Sequence, residues 1–309
     1  MPKHIKSLFV VGLGLINCCA SALPLDVALQ NTYRACVDID ENLHDIKVLA
    51  GINTAVTGVG TGLGVGAIAT GFVKQSADKE IEELEKELER LSNEYQGPEP
   101  TFTDREKFLH ECEEYETSNP NNIKEEIDAL TQKSKKLGNW RTGLLAGNTA
   151  TNIAGAVIAS KTINKDDIQG QVDACISATK ELNNSILAAK MNGEDIAEAQ
   201  SIYNACREYE YIDISPINTR GKGAMVSSSV GAGLGGAGTL TSAIANSNKT
   251  RNDNSDQGKK KEKNLNIASN VLAIGATAAS ATATVFNATQ IAAIKKVSKV
   301  AESCTGVLK

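Results

Sequence analysis

Four long stretches of this sequence carry no charge: Val48–Val73, Thr142–Ser160, Gly223–Ser247 and Leu265–Ile294. As helices rising about 1.5 Å per residue, each is long enough to cross roughly 30 Å of hydrocarbon. Their composition narrows the choice further. The chain is 4% aromatic and contains 26 glycines, many of them in these stretches. A globular core is usually filled by large side chains, whereas here the filling must come from close backbone approach. Helices associate in lipid through small residues of this kind. The expectation is an all-α fold of duplicated helical hairpins: four Gly/Ala/Ser/Thr-rich apolar helices, transmembrane, with an antiparallel coiled-coil insert.

Within the first stretch, Thr54, Gly58, Gly62, Gly66 and Thr70 recur every four residues. Gly143, Gly147, Thr151, Gly155 and Ala159 repeat the pattern in the second. Ser227, Gly231, Gly235, Thr239 and Ala243 repeat it in the third, and Ala276, Ser280, Thr284 and Ala288 in the fourth. The residues expected to pack helices together are therefore Gly58, Gly62, Gly66, Gly143, Gly147, Gly155, Gly231 and Gly235. Ile52, Val56, Val59 and Leu63 form a separate, bulkier face.

The N-terminus reads as a secretory signal over residues 1–22. Lys3 and Lys6 precede the apolar run Leu8–Ile16, and Ala20-Ser21-Ala22 fits the small-x-small cleavage rule. A lipidated Cys18 or Cys19 is the rival reading. Leu23–Lys47 is amphipathic and reads as helix. After Lys74, Ile81, Leu84, Leu88, Leu91 and Tyr95 alternate at spacings of three and four among Glu and Lys, which is a coiled-coil seam. Gly97-Pro98-Glu99-Pro100 ends it, a short helix is expected over 104–115, and Asn119-Pro120-Asn121 reads as a turn. Ile123, Ile127, Leu130 and Leu137 mark a returning helix, so that 75–138 forms a stalk; separately solvated helices are the plainer alternative. Two further amphipathic helices flank the turn signal Asn192-Gly193, and a Lys-rich loop occupies 248–264.

The chain repeats itself. Val59-Gly60-Thr61-Gly62-Leu63-Gly64 returns as Val230-Gly231-Ala232-Gly233-Leu234-Gly235, and Tyr33-Arg34-Ala35-Cys36 returns as Tyr203-Asn204-Ala205-Cys206. Leu144-Leu145-Ala146 resembles Val271-Leu272-Ala273, and Asp173-Ala174-Cys175 resembles Glu302-Ser303-Cys304. This divides the chain into a first repeat, 23–192, and a second, 193–309, with a shorter insert.

Four crossings place Cys36, Cys175, Cys206 and Cys304 on one side and Cys112 on the other. An even set outside and a lone thiol inside is what an oxidising exterior and a reducing cytosol predict. Lysines and arginines around 249–263 favour the cytosolic side for that loop. Three disulfide pairings are possible. A helical hairpin turning at Asn192-Gly193 favours Cys175–Cys206 with Cys36–Cys304, while Cys36–Cys175 with Cys206–Cys304 stays open. The spacings fit no metal-binding pattern.

No catalytic, cofactor-binding or metal-ligating set emerges. Gly231-Ala232-Gly233-Leu234-Gly235-Gly236 matches a dinucleotide fingerprint, but no strand precedes it and no suitable acid follows. His44 and His110 are isolated, and the glutamates beside His110 read as a charged helical face. Trp140 reads as an interfacial anchor. With 32 basic and 37 acidic residues, net charge −5, no basic footprint for nucleic acid exists. The expected function is that of a non-enzymatic integral membrane protein that oligomerises or scaffolds through small-residue helix faces. Its expected partners are the bilayer and a second copy or another membrane protein, with no cofactor or small-molecule substrate. Its expected location is the secretory pathway and cell membrane. Asn148, Asn152, Asn246 and Asn287 dilute the apolar runs. They keep two alternatives in play: a secreted protein that inserts into membranes or forms pores, and a soluble Ala/Gly-packed bundle.

Overall fold

The computed structural model describes residues 22–94, 120–164, 168–251 and 255–308. Residues 1–21 of the expected signal segment, the short helix expected over 104–115, His110, Cys112 and the end of the expected stalk lie outside the described residues. Among those described, every regular element is helical. In order they are α1 (Leu25–Cys36), α2 (Ile39–Glu94), α3 (Pro120–Asn164), α4 (Ile168–Met191), α5 (Ala197–Cys206), a 3-10 turn (Arg207–Tyr211), α6 (Ser215–Ala245), α7 (Asn248–Arg251) and α8 (Asp256–Leu308). The all-α class and the long paired helices agree with the sequence reading. Pro120 does not sit in a turn; it is the first residue of α3, where its missing N–H costs nothing. Gly193 has φ of +75° and makes the turn between α4 and α5, a conformation that suits glycine.

The chain divides into two compact units. One comprises the segment up to Asp40, Gln169–Ile212 and the segment from Lys299; the other comprises Glu41–Ile168 and Asp213–Ser298. Each unit draws on both of the halves read from the sequence.

The smaller unit packs Ala28, Val172, Leu182, Ile186, Ile202, Tyr209 and Ala301, all buried, around four buried cysteines. Cys36 is bonded to Cys175, and Cys206 to Cys304. The favoured pairing of Cys175 with Cys206 is therefore corrected. Being near each other across a hairpin is not enough; the bond forms between the sulfurs that the packing brings face to face, and α1 and α8 supply them. Thr32 Oγ1, buried, donates to Ala178 O at 3.3 Å and to its own helix at Ala28 O at 2.9 Å.

The larger unit is a four-helix bundle with its neighbours antiparallel. Along α2 and α8, Asn53 meets Asn287, Thr57 meets Thr284 and Lys74 meets Glu262, so numbering rises in one as it falls in the other. Gly60 lies against Thr151 and Asp78 against Ser134, which sets α3 antiparallel to α2. Thr142 meets Ser242 and Gly231 meets Asn152, which sets α6 antiparallel to α3. Gln290 donates to Ile217 O at 3.0 Å and Ser269 to Gly238 O at 3.0 Å, which closes the ring between α6 and α8.

The buried seam of each helix alternates spacings of four and three. In α2 it is Asn53, Thr57, Gly60, Gly64, Ala67, Gly71 and Lys74; in α6 it is Ala224, Ser228, Gly231, Gly235, Gly238, Ser242 and Ala245. In α3 it is Arg141, Leu145, Asn148, Asn152, Gly155, Ala159 and Thr162. This average of 3.5 residues is the repeat that keeps a seam on its partner. A row of every fourth residue drifts about 40° per step around a 3.6-residue helix. The expected rows therefore wander off the interface. Gly58 and Gly62 are exposed, and a Cβ on either would meet nothing within 4 Å. The same is true of Gly143. Within the chain these three do not pack helices, and Gly60, Gly64 and Gly71 do so instead.

Candidate functional site

The feature of the larger unit that sequence reasoning only half anticipated is what fills its interior. The helices bury small and polar side chains and expose large apolar ones. Asn53, Thr57, Asn148, Asn152, Ser228, Ser280 and Asn287 are all buried. Val59, Val65 and Phe72 on α2, Ile153 and Val157 on α3, Val230 and Leu240 on α6, and Val271 and Val285 on α8 are about half exposed or more.

The polar interior is bonded across helices. Ser280 Oγ donates to Asn148 Oδ1 or Asn152 Oδ1, both at 3.0 Å, and accepts from Asn152 Nδ2 at 2.8 Å. Asn53 Nδ2 donates to Asn287 Oδ1 at 3.1 Å, and Thr284 Oγ1 to Thr57 Oγ1 at 2.9 Å. Thr142 and Ser242 hydroxyls lie 2.8 Å apart, with Asn246 Nδ2 donating to Thr142 at 3.2 Å. The asparagines that dilute the apolar runs thus act as cross-links between helices.

Several of these oxygens face a glycine on the next helix. A Cβ on Gly155 would lie 3.1 Å from Ser228 Oγ and 3.2 Å from Asn53 Oδ1; one on Gly231 would lie 2.6 Å from Asn152 Oδ1, and one on Gly235 2.7 Å from Thr149 Oγ1. Gly64 faces Thr277 Oγ1, Gly71 faces Asn270 Oδ1 and Gly138 faces Asn246 Oδ1, all closer still. Asn53 Oδ1, Ser228 Oγ, Asn246 Oδ1 and Asn270 Oδ1 have no conventional hydrogen-bond donor. Their recurring position over a glycine Cα is the geometry of Cα–H···O contacts at close helix crossings. Of the other expected packing residues, a Cβ on Gly147 would lie 3.0 Å from Leu63, and one on Gly66 an ordinary 3.4 Å from Leu144.

One end of the bundle is charged. The Lys74 ammonium, 1% exposed, sits 2.6 Å from Asp78 Oδ2 and 3.3 Å from Glu262 Oε1. Ser134 Oγ donates to the other oxygen of Asp78 at 2.5 Å. Arg141 is buried facing Gly71 and donates to Asn266 O at 3.4 Å, while the adjacent Trp140 is 71% exposed. Further along, Lys259 lies 2.6 Å from Glu85 and Lys263 lies 3.9 Å from Glu82. The hydrogen bond to Glu85 raises the Lys259 pKa, and the hydrogen bond from Lys86 lowers that of Glu82.

No known protein family, curated protein or solved structure matches this chain.

Two segments, one within Leu25–Asn93 and one within Asp256–Leu308, are long and apolar enough to cross a membrane. The sequence reading expected four; α3 and α6 do not meet this measure, because Asn, Ser, Thr and Gly dilute them. Most of each of the two apolar windows lies outside the buried seam. His44 is exposed, in keeping with its reading as a solvated residue. In the smaller unit, burial and then Asp40 push the Tyr209 phenol well above its ordinary value. The Tyr209 hydroxyl is buried without a hydrogen-bond partner.

Proposed function

We propose that this chain is a non-enzymatic membrane-embedded scaffold, a duplicated pair of helical hairpins that self-associates in the bilayer. The observation that carries the reading is the inverted distribution of side chains in the larger unit. In water, exposing Val59, Leu240 and Val271 while burying Asn53, Asn148 and Asn152 forfeits apolar burial and desolvates amides. In lipid the same arrangement is favourable, because outward apolar groups meet hydrocarbon and inward polar groups bond one another. In α3 and α6, neighbours within the bundle bond many of the polar groups that lower their hydropathy. Trp140, Arg141 and Lys74 lie at one end of the charge-free runs, where an interface would put them.

The duplication finds support in the seams. Asn53, Thr57, Gly60, Gly64 and Ala67 correspond at one constant spacing to Ala224, Ser228, Gly231, Gly235 and Gly238, and every position is buried. Each disulfide likewise joins the first and last cysteine of one repeat. The disulfides favour an oxidising compartment for the smaller unit. Self-association would use what the bundle leaves open. Gly58 and Gly62 on α2 and Gly233 on α6 have open space over the Cα, so another backbone can approach there.

The test is fractionation of the full chain followed by alkaline carbonate extraction. Retention in the pellet until detergent is added is the expected result. Release by carbonate, or recovery as a soluble monomer, would overturn the proposal.

A further inference from the structure

We propose that the four cysteines of the smaller unit form a zinc site when reduced, so that one cluster is closed either by two disulfides or by one metal ion. The Sγ atoms of Cys36, Cys175 and Cys304 all lie within 4.8 Å of one another, and Cys206 is bonded to Cys304. All four residues are fully buried. They come from four different helices, α1, α4, α5 and α8, so the chain holds them in place from separate directions. Sequence spacing hides this, because the cysteines are separated by 139 and 98 residues within the bonded pairs.

A structural zinc ion takes four thiolates at about 2.3 Å in a tetrahedron, which sets sulfur–sulfur edges of about 3.8 Å. The Cys36, Cys175 and Cys304 sulfurs already lie within 4.8 Å of one another; on reduction the Cys206 thiol, freed from Cys304, would have to swing in as the fourth ligand. The chemistry balances with an external dithiol or phosphine as reductant. Each disulfide accepts two electrons and two protons, its S–S bond breaks, and the reductant is oxidised. Zinc then displaces four thiol protons as four Zn–S bonds form. In an oxidising compartment the disulfide form holds the unit closed, and in a reducing one the metal would do so.

The experiment uses the full chain with Cys18, Cys19 and Cys112 replaced by serine, leaving four thiols. It is reduced anaerobically with a phosphine, freed of reductant and titrated with cobalt(II), then zinc. The expected result is the charge-transfer and visible bands of tetrahedral cobalt thiolate, saturating at one ion per chain and displaced by zinc. Cys36→Ser and Cys304→Ser should each weaken cobalt binding at least tenfold, while helical circular dichroism from the larger unit is retained. Absence of the thiolate bands would overturn the proposal. So would bands unaffected by either serine, or reoxidation to Cys36–Cys304 and Cys175–Cys206 without metal uptake.

Discussion

At the scale of single residues, neighbouring glycines in one helix have opposite roles. Gly64 is buried with Thr277 and Asn148 over its Cα, while Gly62, half a turn away, faces open space. Gly64→Leu should therefore destabilise the bundle by about 1–3 kcal/mol or more through overpacking, read as a lower thermal midpoint in detergent. Gly62→Leu should leave that midpoint within about 0.5 kcal/mol of the parent. If the self-association proposal holds, it should instead reduce oligomer size in sedimentation or cross-linking. Ser280 gives a second test. It lies between Asn148 and Asn152, so Ser280→Ala leaves Asn152 Oδ1 without its donor, while Asn148 Oδ1 keeps the bond from Asn152 Nδ2, and should cost about 1–2 kcal/mol. The small, charge-free character of these stretches was legible in the sequence, and so was the presence of asparagines within them. Which glycine faces inward was not, because rows spaced by four and seams averaging 3.5 share many members and diverge only over several turns. The register that selects Gly60 and Gly64 over Gly58 and Gly62 comes from the two neighbouring helices, α3 and α8.

At the scale of elements, α2 and α8 are fastened at one end by charge. Lys74 bridges to Glu262, Lys259 to Glu85 and Lys263 to Glu82. The raised Lys259 pKa means that its contribution is complete below the ordinary lysine value and is lost as pH rises through the raised one. The lowered Glu82 pKa, set first by Lys86 on its own helix and only then by Lys263, means that what Glu82 contributes is complete above the ordinary carboxylate value and is lost as pH falls through the lowered one. Both are in force between roughly pH 5 and pH 9. The exposed pairs should weaken with salt, while buried Lys74 should not. Lys259→Met should make this end of α2 and α8 exchange amide hydrogens faster at neutral pH and reduce the difference between low and high salt, leaving only what the exposed Lys263–Glu82 pair contributes. Lys74→Met should have the larger effect, since it strands Asp78 and Glu262. The long helices themselves were legible from composition and the coiled-coil spacing. The α2–α8 fastening was not, because it joins residues nearly two hundred positions apart that sequence reading assigned to a stalk and a loop.

At the scale of the whole molecule, the cysteine set was legible and its pairing was not. Redox reasoning singles out Cys36, Cys175, Cys206 and Cys304, but the repeat maps every pairing onto itself. The packing decides, and its decision has a topological consequence. Cys36–Cys175 closes one ring of chain and Cys206–Cys304 closes another, and the rings share no segment. They are joined only by residues 176–205, which include the exposed turn at Gly193. Cutting the Asn192–Gly193 bond should leave two separate covalent loops held together by noncovalent contacts alone. In native detergent the nicked protein should migrate as one particle. In denaturing gel without reductant it should fall into two pieces, whereas a Cys175–Cys206 bond would keep it as one. The protein is, in covalent terms, two lassos tied end to end, with one exposed turn as the only thread between them.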